Sequence, residues 1–145
     1  MSRENIALAR RVLEDAFNKG ELSVIDDVCA DGFVDHDPLM GDGSKEELKQ
    51  RIATYRDAFP DLEITIDEIF AAGDRVVTRW NATGTFQNPI MGLEPTGDKG
   101  PPVQGIGIDR IENGKIVESW GQWDTLRFMR NIGAIPEEAA TTAGS

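Results

Sequence analysis

The sequence has only one cysteine, Cys29, and one histidine, His36. A lone cysteine closes no internal disulfide and supplies no thiolate cluster for zinc or iron–sulfur, and it suits a reducing compartment. No stretch approaches the roughly 20 apolar residues of a membrane helix. The N-terminal Met1-Ser2-Arg3-Glu4-Asn5 leads straight into a charged amphipathic segment, without the apolar core of a secretory signal. A cytoplasmic protein away from the membrane is therefore expected. Basic residues are outnumbered, with 15 Lys and Arg against 26 Asp and Glu and a net charge of −11. Such a chain repels a phosphate backbone, so no nucleic-acid partner is expected. Neither a P-loop nor a dinucleotide fingerprint is present, because Gly105-Ile106-Gly107 falls in a strand pattern with no helix after it. No cofactor is implied.

What is present fits one domain of ordinary size. Residues 1–136 form that domain, and the small and acidic residues of 137–145 read as a disordered tail. Apolar residues at Ile6, Ala9, Val12, Leu13, Ala16 and Phe17 mark one helical face, closed by Gly20. Leu22, Ile25 and Val28 suggest a brief second helix, after which Phe33 to His36 extends. Ser44 with Glu47 makes a capping-box pattern for a third helix that ends before Pro60.

Beyond Pro60 the period changes to two, with Leu62, Ile64 and Ile66 alternating against polar residues. Gly73-Asp74 joins this strand to Arg75 to Phe86 as a hairpin. A Pro- and Gly-rich loop follows to Pro102, long enough to read as a lid over a pocket. Asn113-Gly114 then joins the strands Val103 to Ile111 and Lys115 to Asp124, and a short helix runs from Thr125 to Ile132. Helices first and strands later argue for an α+β fold with the helices on one face of the sheet. If the sheet curls, its concave face and the helices enclose a pocket for an apolar small molecule.

Phe33-Val34-Asp35-His36-Asp37-Pro38, Gly84-Thr85-Phe86, and Met91-Gly92-Leu93-Glu94-Pro95-Thr96-Gly97 occur in a telling order. With Asp109 to Trp120 and Asp124 they give a chain that resembles the SnoaL-like polyketide cyclases of the nuclear transport factor two-like superfamily. The resemblance implies a cone-shaped, strongly curved mixed or antiparallel sheet backed by three N-terminal helices. It also implies a homodimer and cofactor-free acid-base chemistry, the leading instance being aldol cyclisation of a polyketide. The family's key acid is an aspartate after the Trp of the last strand, which corresponds here to Asp124. The strand histidines of the cyclases have no counterpart. Hydroxylation, known in an anthracycline branch, and epoxide hydrolysis therefore stand as alternatives. Arg79-Trp80-Asn81 resembles the Arg-x-Asp pair of the epoxide hydrolases, with Asn in place of Asp. A non-catalytic carrier or sensing domain is a further alternative, since fold alone does not decide function.

Regular alternation places Trp120, Gln122 and Asp124 on one face of the last strand, with Asp124 toward the pocket, although Asp also caps helices well. Val77, Arg79 and Asn81 share a face of the middle strand and could form a polar pocket wall, or a solvent-facing stripe. His36 is the sole imidazole available for proton transfer, with loop-edge packing as the structural alternative. Metal chelation by Asp35-His36-Asp37 is not expected, because adjacent strand residues point to opposite faces. Tyr55, Phe59, Phe86, Met91 and Trp120 are candidate lining residues for an apolar ligand, or simply core. Val76 and Val117 read as apolar residues on the convex face through which a dimer would form.

Overall fold

A computed structural model describes residues 2–137; apart from Glu137, the expected disordered tail lies outside the described residues. The first helical face forms α1 (Ser2–Arg11), which continues as a π-helical segment, Val12–Phe17. After Gly20, at φ 75°, come α2 (Ser23–Val28) and the strand β1 (Cys29–Asp37). A short β2 (Gly41–Gly43), not anticipated from sequence, precedes α3 (Lys45–Ala58). The capping box is formed: Ser44 Oγ accepts the Glu47 N–H at 3.2 Å, and Glu47 accepts the Ser44 N–H at 3.0 Å.

The second half supplies β3 (Glu63–Ala72), β4 (Arg75–Thr83), β5 (Val103–Glu112), β6 (Lys115–Trp123) and α4 (Thr125–Asn131). The six strands order as β2-β1-β6-β5-β4-β3. Pairing is antiparallel except between β1 and β6, which run parallel, so the sheet is mixed and open. The N-terminal helices pack on one face, stapled to β3 where Asn18 exchanges hydrogen bonds with the Ile64 backbone at 2.6 and 2.9 Å.

The core divides into two clusters. One gathers Ile25, Val28, Ile52, Val76 and Ile116 under the first helices, and the other gathers Phe59, Phe86, Phe128 and Ile132 near α4. Each fully buried aliphatic or aromatic side chain contributes roughly 1.5–3 kcal/mol. Val76 is fully buried here, which corrects its placement on the convex face: its cross-strand partners Ala71 and Asp109 also point inward. The convex face instead carries Phe70, Val77, Ile108 and Trp120, one row in register across β3, β4, β5 and β6.

Candidate active site in the sheet cavity

A cavity of about 230 Å³ opens between the two core clusters, roofed by α1 and α3 and floored by the concave face of the sheet. Strand register arranges the floor in rows, because residues paired across neighbouring strands share a face. One row runs Asp35, Ser119, Asp109, Val76 across β1, β6, β5 and β4. The next holds Gly121, Gly107 and Thr78, and a third holds Trp123, Gly105 and Trp80. The paired Gly107 and Gly121 leave bare backbone at the centre, and a Cβ added at Gly121 would meet nothing within 4 Å. Gly105 is needed for another reason: the Trp80 indole lies where its Cβ would be, 2.4 Å away.

The acid row is the electrostatic centre. Burial raises the Asp109 carboxyl from its ordinary 3.8 to about 6, opposed by a hydrogen bond donated by the Ser119 hydroxyl. Asp35 is likewise raised from 3.8 to about 6, by burial first and then by the charge of Asp37, against the pull of Arg51 at 3.4 Å. Asp37 borders the same cavity with both oxygens engaged. Oδ1 accepts the Leu39 and Met40 N–H groups at 2.8 Å each, and Oδ2 accepts Trp123 Nε1–H at 3.2 Å. Cys29 also borders the cavity, but burial pushes its thiol up to about 12, so it is no nucleophile at neutral pH. Among the described residues, no group of three or more His, Cys, Asp or Glu is placed to hold a metal ion.

The residues expected from sequence divide between the two faces of the sheet. Tyr55 and Phe59 line the cavity. Phe86 stacks behind Phe59 at 5.6 Å as fully buried core, and Met91 is exposed in the loop, so neither lines it. Trp120 borders the cavity, but its indole stacks on His36 at 5.5 Å and under Arg75 at 5.3 Å on the convex side. From the long loop, Lys99 and Pro101 reach the lining, and Asn131 ties the Pro101 carbonyl to α4 at 2.9 Å.

Asp124, Gln122 and Arg79 do come together, but in a shallow convex-face groove with Asp67 and Ile106, not in the apolar cavity. The expectation that Asp124 points into the pocket is thereby corrected. Its side chain accepts the Arg127 N–H at 2.9 Å and caps α4. The physical reason is a bulge in β6: Ile111 faces Ile116 while Arg110 faces Glu118, so Val117 is an extra residue and the alternation changes phase after it. Ser119, Gly121 and Trp123 turn inward as a result, and Trp120 and Gln122 outward. The polar pocket wall expected from Arg79 and Asn81 is also corrected. Arg79 pairs with Glu68 at 3.2 Å with its side chain 53% exposed, and Asn81 donates to Asp67 at 3.1 Å, while Thr78, Trp80 and Ala82 face the cavity. His36 is on the convex side, with Nδ1 and Nε2 each 2.7 Å from Asp42 and Glu118, and these partners raise its pKa.

Sequence reasoning missed Asp35, Asp109 and Ser119. For Asp109 a signal exists: Val103, Gly105, Gly107, Asp109 and Ile111 alternate onto one face whose ends are buried. An acid on an otherwise apolar strand face is the pattern that marks a tuned carboxyl.

No curated protein matches the chain. Among solved structures it is similar to AclR of Streptomyces galilaeus, a candidate hydroxylase, at 27% identity over 94% of this chain and 100% of that one, with a TM-score of 0.82. It is similar also to IdmH of Streptomyces antibioticus, a candidate polyketide cyclase, at 27% identity over 89% and 98% of the two chains, with a TM-score of 0.76. A candidate SnoaL-like polyketide cyclase from Jannaschia sp. CCS1 shares the fold at 22% identity and a TM-score of 0.82, over 93% of this chain and 95% of that one. The family model described as SnoaL-like polyketide cyclase matches residues 7–132, and the chain belongs to that family.

Proposed function

We propose that this protein is a cofactor-free enzyme that performs acid-base chemistry on an apolar, oxygen-bearing small molecule, with intramolecular aldol cyclisation as the leading reaction. The observation that supports this most strongly is the pair Asp35 and Asp109, both raised to about 6 and flanking Ser119 on the floor of an apolar cavity. A carboxyl with that pKa exchanges protons near neutrality far more readily than a free aspartate.

In this reading ionised Asp109, oriented by Ser119, removes a proton from the carbon beside a substrate carbonyl. The enolate carbon attacks a second carbonyl of the same molecule and forms one carbon–carbon bond. The attacked carbonyl becomes an alkoxide and takes a proton from neutral Asp35. Proton exchange with water at the cavity mouth returns both carboxyls to their starting states, no electrons are exchanged, and the product is an isomer of the substrate.

Hydroxylation is the second reading, and the similarity to AclR favours it. Epoxide hydrolysis loses its residue support, because Arg79 and Asn81 face away from the cavity. Mass spectrometry after aerobic incubation, with a reductant supplied, of open-chain and partly cyclised polyketide esters and of an aryl epoxide separates the three. An isomer of unchanged mass, or its dehydration product, supports cyclisation. A gain of one oxygen supports hydroxylation, and a gain of water supports hydrolysis.

The protein would act as a homodimer joined through the convex face. Phe70 and Ile106 are each 49% exposed there, beside half-buried Val77, Ile108 and Trp120. Light scattering should give twice the chain mass of 15.9 kDa, and a Phe70→Lys variant should give a monomer. A wild-type monomer across micromolar concentrations would contradict this.

A further inference from the structure

Buried polar side chains in folded proteins nearly always have hydrogen-bond partners, and each exception asks for a reason. Among the described residues, Tyr55 Oη, Thr78 Oγ1 and Arg130 Nε are buried without one. Two of these three, Tyr55 and Thr78, line the same cavity. They approach it from different layers, Tyr55 from α3 and Thr78 from β4. Thr78 stands in the row of Gly107 and Gly121, so the floor beside its hydroxyl carries no side chain that could bond it. The Tyr55 ring is held on that wall by an edge contact with Phe128, 5.8 Å between centroids. Two unmet hydrogen bonds thus belong to residues on the wall of one cavity.

We infer that Tyr55 donates a hydrogen bond to a neutral carbonyl oxygen of the bound ligand, and that the Thr78 hydroxyl makes a second contact from the sheet. The inference rests on the apolar small-molecule reading above and adds where the ligand's oxygen sits.

The chemistry of the surroundings selects the ligand group. Asp35, Asp37 and Asp109 border the cavity against one lining cation, Lys99, and together would repel a carboxylate or phosphate. Burial and the charges of Asp37 and Asp35 raise the Tyr55 pKa, against Arg51, so the phenol keeps its proton and remains a donor. A protonated phenol on the wall of a largely apolar cavity suits an uncharged acceptor, and in the aldol reading that oxygen becomes the enolate oxygen. A donor placed there gains strength as charge develops, which makes Tyr55 a catalytic residue as well as a binding one.

The test uses Tyr55→Phe, which keeps the ring and removes the hydroxyl, with α-tetralone as a ketone probe and naphthalene as a probe of the same shape without oxygen. The ligand-free variant should melt at or above the wild-type temperature, because the lost group has no partner to miss. Its affinity for α-tetralone should fall on the order of tenfold, the loss of one hydrogen bond, with naphthalene binding unchanged. The carbonyl stretch of bound α-tetralone should move to the higher frequency of an unbonded ketone. Thr78→Val should likewise weaken α-tetralone binding and spare naphthalene. A lower melting temperature for Tyr55→Phe, an equal loss for both probes, or an unchanged carbonyl frequency would overturn the inference. Equal affinity of the wild-type protein for both probes would also overturn it, with the pocket reading intact. Naphthalene failing to bind the wild-type protein would remove the apolar-pocket reading itself.

Discussion

Asp109 on β5 accepts a hydrogen bond from Ser119, its cross-strand partner on β6, inside the cavity. The two effects on this carboxyl oppose each other. Burial raises its pKa and Ser119 lowers it, and burial prevails, leaving the group near 6. A group so placed weakens the fold when ionised, and carboxyls tuned in this way cluster at functional sites.

The sign of its pH dependence follows. A carboxyl raised from 3.8 to about 6 binds its proton more tightly in the folded state. The stability it contributes is complete below pH 3.8 and is lost as pH rises through about 6, on the order of 2 to 3 kcal/mol. Asp109→Asn should therefore be more stable than wild type well above pH 6 in denaturant melts, with a flatter stability profile. Its turnover should fall on the order of 100- to 10,000-fold, the usual loss of one acid-base group. A variant less stable at high pH would contradict the stability argument, and one that turns over at the wild-type rate would contradict the catalytic role.

Filling the floor should separate fold from function. Gly121 has open space where a Cβ would stand, so Gly121→Val should fold and melt within a few degrees of wild type. The valine methyls would occupy the ligand's place above the Gly107–Gly121 backbone. Binding of naphthalene, measured by calorimetry, should drop by at least about tenfold, on the basis that one displaced apolar contact is worth roughly 1–3 kcal/mol. Undiminished binding would place the ligand elsewhere.

Asp124 gives the contrasting case. As the cap of α4 it accepts one backbone N–H, at Arg127. Asp124→Ala should cost about 1 kcal/mol of stability, whereas Asp124→Asn, an equally good cap, should cost little. Neither change should alter turnover in folded protein beyond the effect of stability. A loss on the order of 100-fold in Asp124→Asn would return Asp124 to the chemistry.

How the sequence encodes these features explains which of them are legible in it. Helix faces, the Ser44 capping box and the period change after Pro60 are local signals, and the structure follows them. The Asn113-Gly114 turn is equally local: both residues take positive φ, 51° and 74°, as a tight hairpin requires. The parallel pairing of β1 with β6 joins segments 82 residues apart in the His36–Glu118 contact, and no local pattern announces it. The side chains of the site depend on strand phase, which one residue reverses. Reading β6 as regular from Ile116 puts Trp120 and Asp124 inside, and the Val117 bulge puts Ser119, Gly121 and Trp123 there instead. On β4, apolar residues lie on both faces, Val76 and Trp80 inside and Val77 outside, so alternation alone gave no phase.

The central claim is that the cavity carboxyls, not Asp124, carry the proton chemistry. Carbon-13 NMR titration of protein labelled at aspartate carboxyls measures this without a substrate. Two resonances should titrate near 6, and one should vanish in Asp35→Asn and the other in Asp109→Asn. Ser119→Ala should move the Asp109 midpoint upward, because the hydrogen bond that favours its ionised form is gone. Saturation with α-tetralone should shift both, since displacing water from the cavity deepens their burial. Titration of Asp35 and Asp109 at the ordinary 3.8, unmoved by the probe, would contradict the account.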